Sequence, residues 1–567
     1  MQIKQRPFDQ ATVDALINAG TKPLLAKLYA ARGLVDVSEI ETSLAKIIPP
    51  EQLTNAAEMA KLLAEAIQQN KKMLVIGDYD ADGATATAVA IKGLRSMGAN
   101  VDFLVPNRFE YGYGLTPEIV ALAATLNPDI LITVDNGIAS VDGVNAANLL
   151  GLEVLITDHH LPADMNPAAK CIVNPNQHGC TFKSKHLAGV GVMFYVLLAL
   201  RAELRKRDAF IHQLEPNLTE LLDLVALGTV ADLVKLDANN RILVEQGLRR
   251  IRAGMGCAGI NALLTIAGKL PQKVSAQDFG FVVGPRLNAA GRLDDMRLGI
   301  ACLLAETEFD ALQKAQILHE LNMERRNIEA DMQDSALISL ENIEVANNFS
   351  LSIYHADYHQ GVIGILASRL KEKYHRASIV FADAGSAFEE TGDKIIKGSG
   401  RSIANFHLRD ALDLITKRHP NLIIKFGGHA MAAGLSIKQA DFAQFQQAFE
   451  AVSREMLTEA DLQVSIETDG AIALQDMNLQ TAQALCTQVW GQGFAAPLFS
   501  DDFKVINQRI VGEKHLKLIL QKGEKRFDAI YFNCIDNLDE IIQAVYMLDV
   551  NEYKGLQSLQ LQIKHVM

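Results

Sequence analysis

Asp78, Asp80 and Asp82 recur at every second position of Val75-Ile-Gly-Asp-Tyr-Asp-Ala-Asp-Gly83. Like charges about 4 Å apart repel by roughly 4 kcal/mol at an effective dielectric near 20. A folded chain keeps such a cluster where cations neutralise it or water bathes it. Taken alone, the run fits a solvated turn or a helix N-cap equally well, because Asp is common there. Its company along the chain shifts the balance. Asn107, Arg108 and Glu110 follow one short apolar run, Asp135 a second, and Asp158, His159 and His160 a third. Asp232 closes Ala226-Leu-Gly-Thr-Val-Ala-Asp232, after an apolar helical stretch.

These donors are oxygens and imidazoles, with no thiolate. Carboxylate-rich sets suit Mg2+ or Mn2+, and histidine moves the preference toward Mn2+. There are enough ligands for two ions. Two ions about 3.5–4 Å apart, bridged by one carboxylate, activate water and clamp both oxygens of an in-line phosphoryl displacement. Asp135, alone at its strand end, is the natural bridge. Adjacent side chains diverge, so His159 and His160 take different roles, one as a ligand and one at a phosphate.

Further along, Arg286, Asn288 and Arg292 lie in the glycine-bounded turn Gly284 to Leu293. Ser399 and Arg401 lie in Lys397-Gly-Ser-Gly-Arg-Ser402, and His429 in Lys425-Phe-Gly-Gly-His-Ala-Met-Ala-Ala-Gly434. Guanidinium, hydroxyl and amide groups recognise phosphate, and glycines let a backbone approach it closely. Tight turns alone would also account for either of the later loops.

The elements that must position these groups follow from periodicity. Met73–Ile76, Val101–Val105, Ile130–Val134 and Val154–Ile156 read as strands, with helices at Ala84–Met97 and from Pro117. Such alternation predicts a parallel sheet with helices on both faces. The loops after its strands then line one edge, where ligands bind. Glu306 to Glu341 lacks Gly and Pro and reads as one long helix joining two lobes, about 54 Å at 1.5 Å per residue. Leu351–Tyr354, Ile363–Lys373 and Ser378–Phe381 begin a second α/β unit. Val464–Ile466, Phe503–Ile510, His515–Leu520 and Phe527–Phe532 read as strands of a small barrel, with an OB-fold the expected form. On it, Lys517, Lys522, Lys525 and Arg526 with Tyr531 could track a single strand.

At 567 residues the chain exceeds one core. The expected division is 1–48, 49–300, 301–342 (connecting helix), 343–455 and 456–567. No secretion signal opens it, and its longest uncharged apolar run, Leu187 to Leu200, is too short to span a bilayer. Six scattered cysteines without a Cys-x-x-Cys pair fit reduced thiols in the cytoplasm. A net charge of −13 argues against nucleic-acid binding over the whole surface, though not in a local basic groove.

Together the motifs resemble the DHH phosphoesterase superfamily. The resemblance is carried by Asp78 to Gly83, Asn107-Arg108 with Gly112 to Leu115, Val134-Asp-Asn-Gly137, Asp158-His-His160, Gly228 to Asp232, Gly284 to Leu293, Ser399 to Ser402 and Gly427-Gly-His429. It covers about residues 50 to 440, and the C-terminal part matches weakly. It implies a parallel-sheet DHH domain and a smaller α/β DHHA1 domain joined by a long helix, plus a C-terminal OB-like barrel. It implies an exonuclease needing two Mg2+ or Mn2+ ions that degrades single-stranded DNA 5′ to 3′ into mononucleotides in recombination and repair. Carried over by residue, Asp78, Asp80, Asp82, Asp135, His159 and Asp232 form the metal set. Asp158 orients a ligand histidine, and His160 meets the scissile phosphate. Arg108, Ser399 and Arg401 match a 5′-phosphate pocket; Arg286, Asn288 and His429 match further substrate contacts. A helicase and a single-stranded-DNA-binding protein are the implied partners of a bacterial, nucleoid-associated monomer with no membrane contact. The rivals are an oligonucleotide or cyclic-dinucleotide phosphodiesterase on the same scaffold, and a non-catalytic binding relative. Long chain length opposes the first and the complete acid set the second.

Overall fold

The computed structural model describes residues 2–106, 111, 114–163, 165–340, 345–388 and 394–567. The chain divides into two compact units, one of residues 1–4 and 320–466, the other of residues 5–319 and 467–567. After an N-terminal strand β1 (Gln2–Gln5), the larger unit builds a parallel sheet from β2 (Lys72–Ile76), β3 (Asn100–Leu104), β4 (Ile130–Val134), β5 (Glu153–Thr157) and β6 (Cys171–Val173). The order is β3-β2-β4-β5-β6, with Met73 paired to both Val101 and Ile130. The chain leaves β2 for β3 on one side and returns to β4 on the other. The gap beyond the ends of β2 and β4 is therefore a topological switch point, where the following loops splay apart and a ligand can enter.

β4 is buried throughout, and β2 after Lys72, as a sheet covered on both faces requires. One face packs Leu74, Ile76, Leu131 and Ile156 against Ile119, Val120, Val144 and Ala147. On the other side, helices Ala81–Ser96, Gly189–Lys206 and Leu222–Ala231 pack on one another. A Cβ at Gly93 would lie 2.3 Å from Leu197 Cδ1, so this glycine lets two of them cross closely. The stretch Gly284 to Leu293, expected as a turn, is a helix, entered through a π-helical turn at Phe279–Val283. Pro285 at its first turn suits a helix start. Gly291 is there for proximity: a Cβ would lie 1.9 Å from the Tyr79 carbonyl oxygen.

The long helix runs from Glu308 to Leu340. In the smaller unit, β7 (Ser350–Tyr354), β8 (Ala377–Phe388), β9 (Lys394–Arg401), β10 (Lys425–Gly428) and β11 (Ala432–Lys438) form a sheet in the order β10-β11-β9-β8-β7. β7 and β8 are parallel, linked through helix Ile363–Tyr374, and the other pairs are antiparallel. The two glycine-rich stretches expected as loops are thus strand β9 and hairpin β10–β11. A Cβ at Gly398 would lie 2.5 Å from the Phe381 ring and 2.8 Å from a Leu435 methyl, a proximity that only a Cβ-free strand tolerates. Phe381, Phe406, Phe445 and Phe449 centre this core.

Strand β12 (Ser465–Thr468) pairs with β1. β13 (Phe499–Val511), β14 (His515–Lys522), β15 (Lys525–Tyr531), β16 (Ile541–Tyr553) and β17 (Leu556–Val566) then close a barrel in the order β13-β14-β15-β17-β16. β15–β17 is its parallel pair. β16 and β17 were not among the expected strands. Of the expected cationic track, Lys522 is engaged by Asp501 at 2.5 Å and by the Ile472 carbonyl at 2.9 Å, and Lys525 donates to Leu474. No helix among the described residues is long and apolar enough to cross a membrane.

Candidate metal centre

Asp80 ends the loop after β2 as an N-cap: its backbone is extended and its Oδ1 accepts from Asp82 N and Gly83 N at 2.9 and 3.0 Å. Asp82, inside that helix, turns to a second helix start. Its Oδ2 accepts from Gly189 N at 2.6 Å and its Oδ1 from Val190 N at 3.0 Å. Helix N-termini carry partial positive charge that stabilises a carboxylate. Burial nevertheless raises the Asp82 pKa to about 7, with the Asp80 charge adding to the rise.

Asp135, at the end of β4, adopts φ 62°, a left-handed conformation that Asp tolerates better than most residues. Its N–H donates to Thr157 O at 3.0 Å. Its Oδ1 lies 3.1 Å from His159 Nε2, and both atoms are buried without a hydrogen bond. Asp232, at the C-cap of helix Leu222–Ala231, places Oδ2 3.5 Å from the same Nε2; Asp82 Oδ2 lies at 3.9 Å. Burial, then the nearby His160 charge, lowers the His159 pKa to about 4, so this ring is neutral. Its bond to the Leu187 backbone occupies the other ring nitrogen and leaves the Nε2 lone pair facing the acids. Burial, and then the charges of neighbouring acids, raise Asp135 and Asp232 well above the ordinary carboxylate range.

Three sets of donor atoms lie within 4.8 Å of one another: Asp78, Asp80 and Asp135; Asp82, His159 and Asp232; and Asp135, His159 and His160. Asp135 thus belongs both to an all-carboxylate set and to one that contains His159. Two lone pairs facing each other in a buried, oxygen-rich pocket fit a divalent cation of the Mg2+ or Mn2+ kind.

Glycine makes the assembly possible. A Cβ at Gly189 would lie 2.5 Å from Asp135 Oδ1, and one at Gly228 2.8 Å from Asp82 Oδ1. Gly189→Ala is expected to push the helix start away from both acids. By calorimetric titration, Mn2+ affinity should fall about 10–100-fold, the range for lost ligand support. Gly191→Ala, whose nearest neighbour is a Leu187 methyl at 3.2 Å, should bind as the unaltered protein does.

In the histidine loop, Asp158 Oδ1 accepts from His159 N at 2.7 Å and from His160 N at 3.1 Å, and it meets His160 Nδ1 at 2.8 Å. Asp158 Oδ2 accepts from Ile138 N at 2.9 Å. Asp158 was expected to orient the ligand histidine, but its side chain holds the ring of His160, while the Leu187 backbone holds His159. The difference is one of reach: Asp158 is fully buried beneath the loop, on the side to which His160 turns. Burial opposes a charge on His160, but the Asp158 bond and the charges of Asp158, Asp232 and Asp78 outweigh it and raise the pKa to about 9. His160 is therefore an imidazolium beside a neutral His159.

Two expected substrate contacts support the acidic loop or its surroundings. Asn288 Oδ1 accepts from Ala81 N at 2.8 Å, so it braces the start of the Asp80–Asp82 helix. Arg286 donates to Val282 O at 2.7 Å and meets His319 Nδ1 at 3.0 Å. Asn107, Arg108 and Glu110 lie outside the described residues.

The smaller unit brings together Ser399 and Arg401. Arg401 Nη1 donates to Ser399 Oγ at 3.3 Å and to Gly400 O at 2.8 Å. Near the start of helix Ile363–Tyr374, a Cβ at Gly364 would meet Ser399 Oγ at 2.9 Å and Arg401 Nη2 at 3.0 Å. His429 sits in the turn of hairpin β10–β11, whose Ala432 pairs with Arg401. The amides of Gly189 and Val190 and the Leu187 backbone escaped sequence reasoning. The Gly189-Val-Gly-Val192 start of an otherwise bulky apolar helix was their one visible sign.

Family models match in the order the architecture suggests: DHH family, N-terminal domain, over residues 72–229; DHHA1 domain over 345–455; and RecJ OB domain over 468–565. Sheet, second α/β domain and barrel therefore define a three-part DHH protein, the expected fold class. The chain is 47% identical over 579 residues to the single-stranded-DNA-specific exonuclease RecJ of Salmonella typhimurium, covering all of this chain and 99% of the relative. Identity is likewise 47% to the RecJ of Escherichia coli, over 100% and 99% of the two chains. The crystal structure of RecJ in complex with Mn2+ from Thermus thermophilus superposes with a TM-score of 0.82 at 27% identity, covering 100% of this chain and 79% of that one. The chain belongs to the RecJ family.

Proposed function

We propose that this protein is an exonuclease that degrades single-stranded DNA from the 5′ end in recombination and repair, releasing 5′-mononucleotides with the aid of two Mn2+ or Mg2+ ions. One observation carries the reading: buried Asp135 Oδ1 and His159 Nε2 face each other at 3.1 Å, unbonded, between two carboxylate groups. The RecJ relatives named above, and the solved RecJ structures with Mn2+ and with Mg2+, support it. Asp78, Asp80 and Asp135 would hold one ion, and Asp82, His159 and Asp232, with Asp135 shared, the other. Bound there, such a pair acidifies a water and neutralises the attacking and leaving oxygens of phosphoryl transfer.

The remaining steps belong to the chain itself. His160, kept protonated by Asp158, donates to a non-bridging oxygen of the scissile phosphate and opposes the charge that grows there. Ser399 and Arg401, beside the start of helix Ile363–Tyr374, hold the terminal 5′-phosphate, with His429 as a further contact. Burial lowers the Arg401 pKa, and an arriving dianion would restore it. Arg286 and Asn288 contribute through the segments they brace. An enzyme of one strand needs opened duplex, so a helicase and a single-stranded-DNA-binding protein are its proposed partners. The proposed setting is the bacterial cytoplasm at the nucleoid, and the proposed state a monomer.

A 5′-labelled, 5′-phosphorylated single strand should yield labelled mononucleotide first, and only with Mn2+ or Mg2+. Release of label inside longer fragments would overturn the exonuclease reading. Arg401→Ala should still cut but lose most of its preference for a 5′-phosphate over a 5′-hydroxyl. A charged hydrogen bond is worth about 1.5–3 kcal/mol, so the ratio of the two kcat/KM values should fall by about 10–100-fold.

A further inference from the structure

Strand β6, at the sheet edge, runs into Val173-Asn-Pro-Asn176, a polar strand end that supplies no acid. Asn174 is fully buried, and its Nδ2 donates to the His160 carbonyl at 2.9 Å. Its Oδ1 accepts from Asn176 N at 2.7 Å, which closes an Asx turn over Pro175. Asn176 Nδ2 in turn donates to the His159 carbonyl at 2.6 Å. Successive carbonyls of the histidine loop therefore each receive one side-chain amide from the same turn.

That turn is itself fixed. Asp158 N donates to Val173 O at 3.1 Å, which ties the two strand ends together. Lys185 Nζ donates to Pro175 O at 2.6 Å and to Cys180 O at 2.7 Å. Pro175 removes one backbone freedom more. A carbonyl held in place fixes the peptide plane beside its own Cα, and with it the direction of Cβ. The two rings need such control, because they sit with centroids 4.4 Å apart and planes at 55°, and the proposed function gives them different tasks.

We propose that Asn174 and Asn176 are positioning residues, one for each histidine. Asn176 sets the approach of His159 to the ions, and Asn174 sets the approach of His160 to the phosphate being cut. The second half rests on the nuclease reading; the first rests on cation binding alone.

The test separates them. Asn176→Ala, titrated with Mn2+ without DNA and followed by electron paramagnetic resonance of the free ion, should show a Kd raised about 10–100-fold. Its kcat should recover at saturating Mn2+. Asn174→Ala should bind Mn2+ as the unaltered protein does and bind single strands normally in Ca2+, yet lose about 10–100-fold in kcat. Asn→Gln at either position keeps a donor and should restore part of the loss. If an alanine variant melts below the assay temperature, Asn→Leu, which keeps the volume and lacks the donor, replaces it with the same expectation. Equal losses of Mn2+ affinity in both variants, or normal behaviour of both, would overturn the proposal. Should the unaltered protein fail to cut single strands, the nuclease reading falls, and the Mn2+ titration still decides the role of Asn176.

Discussion

Asp135→Asn should abolish cleavage while leaving single-strand binding in Ca2+ intact. The substitution keeps the shape of the side chain and removes its charge. Asp135 belongs to both the carboxylate set and a set with His159, so one change weakens both halves of the centre. Charge stabilisation by bound cations is worth several kcal/mol in the transition state. At about 1.4 kcal/mol per tenfold in rate, loss of a shared ligand should cost at least about a thousandfold in kcat. Single-turnover cleavage of an end-labelled strand measures it directly. The left-handed backbone at residue 135 accepts Asn as readily as Asp, so the fold should hold and melting should change little. A variant that cuts at even a tenth of the normal rate would remove Asp135 from the centre.

Chelation should destabilise the protein, and more strongly at about pH 8.5 than at about pH 6.5. The sign follows from the acids. Burial and mutual repulsion raise Asp82 to about 7, and Asp135 and Asp232 well above their ordinary range. A raised folded pKa means that the fold favours the protonated form. The stability this contributes is present below the unfolded value, near 3.8 for Asp82, and is lost as pH rises through the folded value near 7. His160, raised to about 9, pulls in the same direction. His159, lowered to about 4, pulls the other way, but chiefly below its ordinary value of 6.5. Cations bind the ionised acids and displace their protons, so the rise in Tm produced by Mn2+ should grow across the same interval. Differential scanning calorimetry of chelated and Mn2+-loaded protein at the two pH values gives the comparison. An equal Mn2+ effect at both would mean that the acids are already ionised without the cation.

The acids and histidines were legible because chemistry constrains their types, and strand–loop–helix periodicity showed that strand ends collect them. The long helix was legible from an uninterrupted run, expected at Glu306–Glu341 and found at Glu308–Leu340. Misplaced elements share a cause: their conformation is set by partners distant in sequence. Gly398 and Gly400 read as loop residues until Phe381, Leu435, Leu408 and Ile379 are seen packed on them in a sheet. Gly284 to Leu293 read as a turn because its glycines looked like breakers, whereas Gly291 serves an approach to Tyr79. Strand β6 has three residues, too few for any period to show. The link from Asp158 to His160 instead of His159 depended on side-chain direction, which adjacency in sequence does not reveal.

The candidate centre gathers donor groups from Asp78 to Asp232, and its first acids follow the interior strand β2 of the sheet. During synthesis, β2 and its acidic loop leave the ribosome long before Asp232 does. Parallel pairing of distant segments is slow to form. A nascent chain therefore carries an incomplete centre until the helix that ends at Asp232 has docked. Cation-dependent cleavage is therefore expected to be withheld at least until residue 232 has been made and its helix has docked.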